Sequence, residues 1–462
     1  MGERQTPIMD ALHKVAGNAA VRLCMPGHKG DTGFFGGELL RCDITELPGA
    51  DNLLCPSGAI AASEALHAEF VDADAAFFTT GGSTAGNLAM LSLFRGKKVI
   101  FPRGIHLSAA NAISLFSITP VFLEAVPCDY PAVTSAEAVR AALKAHRDAA
   151  AVFVTYPNYF GLCCELEAIA AAAHRAGAAL LVDAAHAAHF AYSPLLPAYP
   201  AQAGADIWTE SIHKTLPAMN QCACVLVGRG SLVDKTLVRQ AISMVQTTSP
   251  SYVLLGSMDY ACAYMRDKGE AELARAVRFA EKLCDSIAAI AGCACAAMPH
   301  SVARDPLKVV IDVEGTGYTG LAMRDALAAQ GIHVETADLR NLLLMLSVGN
   351  TPAQLDTFRR ALAQAPRIRG KSVYFSPYSL PAFTKYSQSS WLWGNIDKVR
   401  IERSAGLISA GAVGVYPPGE AVLLRGQQIS YEISGYLLEA RRQGFDLFGA
   451  EDDCVRVYRE RI

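Results

Sequence analysis

No block of basic charge runs through this 462-residue chain. Lysine and arginine number 41 against 44 aspartates and glutamates, for a net charge of −3. A protein that tracks nucleic acid or lies on an anionic membrane needs the opposite bias, so neither partner is expected. No apolar run is long enough to span a bilayer. The N-terminal stretch carries scattered charges instead of the apolar core of an export signal. A cytoplasmic location is therefore expected. Charged residues make up only 18% of the chain and hydrophobic ones 52%, which argues against a disordered chain. Paired metal-binding cysteine motifs are also missing. The 13 cysteines are odd in number and irregular in spacing, and neither Cys163-Cys164 nor Cys293-Ala294-Cys295 has a matching second pair. No metal site and no disulfide framework are expected, and the thiols read as reduced, small, apolar residues.

What is present is an alternation of strands and helices. Strand-like runs occur at 75–80, 98–101, 121–124, 150–155, 179–183, 206–209 and 222–227. Helical patterns occupy 60–71, 83–94 and 166–175, the last with Gly177 as its C-cap. This texture predicts an α/β fold with a mostly parallel sheet covered on both faces. Residues 255–297 read as a long helical connector. Beyond it, a strand at 308–313, a helix at 321–330 ended by Gly331, and a strand at 341–347 suggest a smaller α+β domain. The Gly- and Pro-rich start reads as an arm. The expected division is 1–50 for the arm, 51–300 for a large domain with connecting helices, and 301–462 for a small C-terminal domain.

Four features point to chemistry. Gly81-Gly82-Ser83-Thr84 closes a strand and opens a helix. Glycines admit close approach of an anion, the hydroxyls donate, and the helix N-terminus faces the charge. The same residues also serve as an ordinary helix cap. Asp183 ends an apolar strand, where open α/β sheets bind ligands; helix capping is the competing role. Lys214, in Ser211-Ile212-His213-Lys214, sits in an otherwise uncharged stretch, which suits a partly desolvated amine. His213 is placed to donate to an anion or deliver a proton, and Ser211 adds a hydroxyl. His106 follows the strand at 98–101 and is placed to stack on an aromatic ring. His186 reads as a pocket residue and His189 as packing. A phosphate cradle, one acid and one lysine, in that order, meet the needs of a pyridoxal phosphate site.

The chain resembles the bacterial Orn/Lys/Arg decarboxylases, and in particular their shorter Gram-positive-type members. The motifs Met25-Pro26-Gly27-His28-Lys29-Gly30, Asp43-Ile44-Thr45-Glu46, Gly81 to Asn87, Arg103 to His106, and Thr155-Tyr156-Pro157-Asn158-Tyr159-Phe160-Gly161 match in order. So do Asp183 to His189, Ser211 to Leu216, Thr247 to Tyr252 and Tyr416-Pro417-Pro418-Gly419. The resemblance implies pyridoxal phosphate fold type I, the aspartate-aminotransferase architecture, with a seven-stranded sheet in the large domain. It implies that Lys214 binds pyridoxal 5'-phosphate covalently, Asp183 pairs with the pyridinium and His106 stacks on it. Ser83, Thr84, Ser211 and His213, with Gly82, would hold the phosphate, and His186 would line the pocket. The segment Thr247-Thr248-Ser249 would reach the cofactor of a neighbouring subunit in a homodimer or a multiple of dimers, with Thr248 as the contact. The activity implied is decarboxylation of arginine, lysine or ornithine to agmatine, cadaverine or putrescine. The alternative is another reaction on the same scaffold, such as transamination or decarboxylation of a non-basic amino acid, or a non-catalytic homologue. The chain departs from the family pattern at Gly411, Glu420 and Arg425-Gly426-Gln427, in the region that shapes the substrate end of the pocket. Glu420 and Asp51 are both candidates for the carboxylate facing the distal substrate cation.

Overall fold

The computed structural model describes residues 4–18, 22, 24–26, 28–29, 37, 39–124, 130–296, 302–365, 375–386, 395–416 and 419–459. Gly27 and Gly30 of the first motif, and Pro417 and Pro418 of the last, lie outside the described residues.

The main sheet contains β1 (Ala73–Thr79), β2 (Lys98–Phe101), β3 (Thr119–Phe122), β4 (Ala149–Thr155), β5 (Ala179–Asp183), β6 (Ile207–Glu210) and β7 (Ala223–Gly228). Their spatial order is β1-β7-β6-β5-β4-β2-β3. The pairs β2–β3, β4–β5 and β5–β6 are parallel, whereas β7 is antiparallel to both its neighbours. The expected mostly parallel, seven-stranded α/β sheet is therefore present. Each strand lies within two residues of its position in the sequence pattern, because continuous apolar runs mark strands buried on both faces.

The chain forms two compact units, each assembled from separated segments. The first comprises Met1–Phe94, Ala150–Tyr156 and Leu166–Ala274. Leu180, Leu181, Val182, Ile207, Trp208 and Val225 are fully buried at its centre. A helix at Pro7–Asn18 belongs to this unit, where the sequence suggested only an arm. Its first turn is capped from afar: Asp259 Oδ2 accepts from the backbone N–H of Ile8 at 2.9 Å and of Met9 at 3.1 Å. Ser63 Oγ donates to Asp259 Oδ1 at 2.6 Å, so one carboxylate ties three segments together. A Cβ on Gly256 would lie 2.7 Å from Leu12 and Met9, so this helix rests directly on the backbone of the helix Tyr252–Ile287.

The second unit comprises Arg95–Ala149, Pro157–Glu165 and Arg275–Ile462. One four-stranded sheet is centred on the antiparallel pair Lys308–Asp312 and Asn341–Met345, with Thr336–Ala337 and Ala294–Cys295 at its edges. Phe160, Leu162, Val310, Leu343 and Tyr378 form a core beneath it. Another four-stranded sheet joins Glu420–Leu423 to Ile105–His106, with Glu420 opposite His106. The expected helix at 255–297 is continuous but ends at Ile287; the chain then turns through Gly292 (φ +79) into the edge strand.

Candidate active site

The first unit gathers most of the candidate residues at the carboxyl ends of β5 and β6. Thr155, Asp183 and Thr209 stand side by side in register across β4, β5 and β6. The helix Gly82–Ser92 leaves the end of β1 and packs flat on β6. Gly86 permits this, since a Cβ there would lie 2.0 Å from Thr209 Oγ1. The close approach sets the next residue, Asn87, against Asp183. Its Nδ2 donates to Asp183 Oδ2 at 2.8 Å, and the backbone N–H of Ala185 donates to Oδ1 at 3.2 Å. Asp183 is thus a buried carboxylate with a donor on each oxygen. Sequence reasoning gave Asn87 no role, because nothing local marks an asparagine that acts on a strand far along the chain.

At the helix start, Gly81 is the N-cap and provides no capping side chain. Gly82 has φ +67 and open space where a Cβ would stand, so an anion has access to the backbone there. Ser83 Oγ meets Ser211 Oγ at 2.9 Å, joining the two hydroxyl-bearing segments. Thr84 is exposed on the first turn. The donor set, with hydroxyls from two segments and an uncapped helix N-terminus, fits a phosphate monoester.

Ser211 begins the short helical turn Ile212–Thr215 that follows β6. Lys214 Nζ lies 3.2 Å from His186 Nε2. His213 Nδ1 donates to Cys222 O at 2.8 Å, which leaves the lone pair of the neutral ring on Nε2. Burial pushes the pKa of His213 down and outweighs the carbonyl that opposes it; the nearby Lys214 lowers it further. Behind the turn, Glu210 is fully buried with both oxygens engaged: Oε1 meets His67 Nε2 at 3.2 Å, and Oε2 accepts from Tyr199 OH at 2.8 Å. Trp208 Nε1 donates to the same tyrosine oxygen at 3.2 Å. This network fixes the strand end from which Lys214 projects. His189 is buried against Phe190, with ring centroids 4.7 Å apart. Thr248 is exposed in the segment after the helix Lys235–Val245. No metal-ligating cluster occurs among the described residues.

His106 belongs to the second unit. It is exposed and caps the helix Leu107–Leu115, accepting the Ser108 backbone N–H at Nδ1 over 3.2 Å. A neutral ring there carries its proton on Nε2. Arg103, three residues earlier, is buried beside the paired rings of Phe122 and Phe383, with its guanidinium carbon 5.7 and 5.5 Å from their centroids. It donates to Val422 O at 2.8 Å and Pro381 O at 3.2 Å. Burial lowers its pKa to about 10, against the pull of Glu420. Burial likewise pushes Glu420 up to about 8, with Arg103 opposing. Gly104 (φ +78) makes room for this carboxyl, since a Cβ there would be 2.3 Å from Glu420 Oε2.

Asp51, the other candidate for the distal substrate cation, is engaged within the first unit. Its Oδ1 accepts from the backbone N–H of Asn52 at 2.8 Å and Ser57 at 2.9 Å. Its Oδ2 accepts from Gly58 at 2.8 Å, Ile60 at 2.9 Å and Ala61 at 3.3 Å. The carboxylate closes the turn before the helix Ala59–Phe70. Burial alone would raise its pKa, but these donors hold it below the usual range.

Residues 6–302 match the major domain of the Orn/Lys/Arg decarboxylases. An arginine decarboxylase of Halalkalibacterium halodurans is 31% identical over 99% of this chain and 98% of its own length. An arginine decarboxylase of Bacillus subtilis is 29% identical over the same shares. Among solved structures, the lysine decarboxylase LdcF of Francisella novicida superposes with a TM-score of 0.81 at 17% identity, covering 99% of this chain and 82% of that one. That last likeness concerns the fold. No helix among the described residues is long and apolar enough to cross a membrane.

Proposed function

The chain belongs to the Orn/Lys/Arg decarboxylase family, and from that premise we propose that it decarboxylates arginine to agmatine and CO2. The activity class, decarboxylation of a basic amino acid, follows from the family; arginine is favoured because full-length relatives carry that name. The observation that carries the reading is the convergence of Asp183, Asn87, His186, Lys214 and the Ser83–Ser211 contact in one unit.

Lys214, Asp183, Ser83, Thr84 and Ser211 would hold pyridoxal phosphate, with Gly82 admitting the phosphate. When bound, that group supplies the electron sink that makes loss of CO2 from an α-carbon feasible. The protein's own part is preorganisation. Asp183, fixed by Asn87 and the Ala185 N–H, keeps a negative charge at one place. Ser83, Ser211 and the helix N-terminus fix an anion at the other end. His186 accepts a hydrogen bond from the Lys214 amine and aims it. His213, whose pKa burial lowers, keeps its Nδ1 proton directed at Cys222 O. The reading includes a homodimer, with Thr248 reaching the neighbouring cofactor, and a cytoplasmic location.

The test supplies purified protein with pyridoxal phosphate and offers arginine, lysine, ornithine and a non-basic amino acid. Release of CO2 with agmatine as product, abolished in Lys214→Ala, is the expected result. Keto acid without CO2 would point to transamination, and a protein that stays colourless with the cofactor would point to a non-catalytic role. Light scattering reads the oligomeric state.

A further inference from the structure

We propose that Cys284 and Cys295 form a reversible dithiol–disulfide pair, oxidised by low-molecular-weight disulfides. Both belong to the second unit and neither takes part in the chemistry above. Cys284 lies in the last turn of the helix Tyr252–Ile287, and Cys295 in the edge strand that pairs with Lys308–Asp312. The chain returns from helix to strand through Gly292 (φ +79). This tight return brings the two thiols into mutual hydrogen-bond contact. Each is partly exposed, and both are free. The guanidinium of Arg304 lies near both sulfurs.

The surroundings separate Cys284 from other cysteines of the chain, whereas contact with Cys284 and burial raise the thiol of Cys295. Burial pushes the thiols of Cys164, Cys222 and Cys224 up to about 12, which suppresses the thiolate needed for exchange. Cys284 moves the other way: its contact with Cys295 is the main cause, burial opposes it, and Arg304 assists. Cys284 is therefore the attacking group and Cys295 the resolving one. The Cys284 thiolate attacks one sulfur of a small disulfide, forming a mixed disulfide and releasing one thiolate, which takes up a proton. Cys295 then loses its proton and attacks Cys284 Sγ, closing the protein disulfide and releasing the second small thiol. Two protein thiols are oxidised, one small disulfide is reduced to two thiols, and no other reactant is needed. The bond would staple the end of the long helix to the sheet edge.

The test exposes the cofactor-loaded, full-length protein to oxidised glutathione, traps free thiols, and digests it unreduced with a protease that cuts before aspartate. Cleavage at Asp285 separates the two cysteines. The expected product is a disulfide-linked peptide pair, one ending at Cys284 and one containing Cys295. It should persist in Cys293→Ala and revert with dithiothreitol. Cys295→Ser should instead accumulate glutathione on Cys284, at least tenfold above the level in the unsubstituted protein. A linkage that survives in Cys284→Ser, or glutathione adducts alone in the unsubstituted protein, would overturn the proposal. The linked peptides are read first in the unsubstituted chain, so the result does not depend on a variant folding. Nor does it depend on which amino acid the enzyme accepts.

Discussion

Asn87 Nδ2 donates to Asp183 Oδ2 at 2.8 Å, so the helix that opens with Gly82-Ser83-Thr84 also orients the carboxylate at the end of β5. Two proposed cofactor contacts are therefore coupled through one rigid element. A hydrogen bond to a charged group contributes about 1.5–3 kcal/mol, and about 1.4 kcal/mol is a tenfold change in rate. Asn87→Ala is expected to lower kcat by about 10- to 100-fold on this scale while the protein stays folded. Steady-state kinetics beside a circular-dichroism melt would check it; an unchanged kcat would remove Asn87 from the site.

Gly86 makes that coupling possible. Gly86→Ala places a Cβ 2.0 Å from Thr209 Oγ1 and 3.2 Å from Val225 Cγ2. Overpacking of this kind costs about 1–3 kcal/mol. Urea denaturation should show a loss of that order, with weaker retention of pyridoxal phosphate in dialysis. Full stability and full cofactor retention would show that the helix can lift from β6 without consequence.

Asp51 should behave as a capping residue. Its native pKa lies below its unfolded value, so its contribution is fully present above the ordinary carboxylate range and is lost as pH falls through the native value. Asp51→Ala is expected to cost about 1–2 kcal/mol at neutral pH, as other helix caps do. Its stability should also fall less on acidification than that of the unsubstituted protein. A rise in KM for arginine at an unchanged melting temperature would instead assign Asp51 to the substrate.

Glu420 has the opposite sign. Its native pKa of about 8 lies above the ordinary value of 4.5, so the native state keeps the proton longer than the unfolded one. Stability from this group is present at acid pH, declines as pH rises between those two values, and levels off above the upper one. Melting temperature against pH should show this decline, and Glu420→Gln should flatten it. An identical profile in the variant would mean that Glu420 is already ionised beside Arg103.

Much of the candidate site is legible in the chain because its markers are local. Asp183 closes an apolar strand, Lys214 stands in an uncharged turn, and Gly81-Gly82 punctuates a strand–helix junction. Each is a break in a periodic pattern. What escaped reading depends on distance along the chain. The helix Pro7–Asn18 is held by Asp259, a partner far along the chain that its own sequence does not reveal. Asn87 and Gly86 acquire meaning only when β5 and β6 lie beneath them. The buried Glu210 looks like an ordinary strand-end acid until His67 and Tyr199 close on it. Glu420 stood out as a departure from the family pattern, but its proximity to Arg103 follows from the pairing of its strand with Ile105–His106.

The interleaving of the two units bears on how the protein is made. Residues 95–149 leave the ribosome early, yet the rest of their unit begins at residue 275. Strand β2 meets its sheet neighbours β3 and β4 soon after synthesis, but the unit's other partners, apart from residues 157–165, come only beyond residue 275. The apolar residues Val99, Ile100, Phe101 and Ile113 in that stretch end up fully buried. The nascent chain thus completes this unit only when late translation supplies the residues from 275 onward.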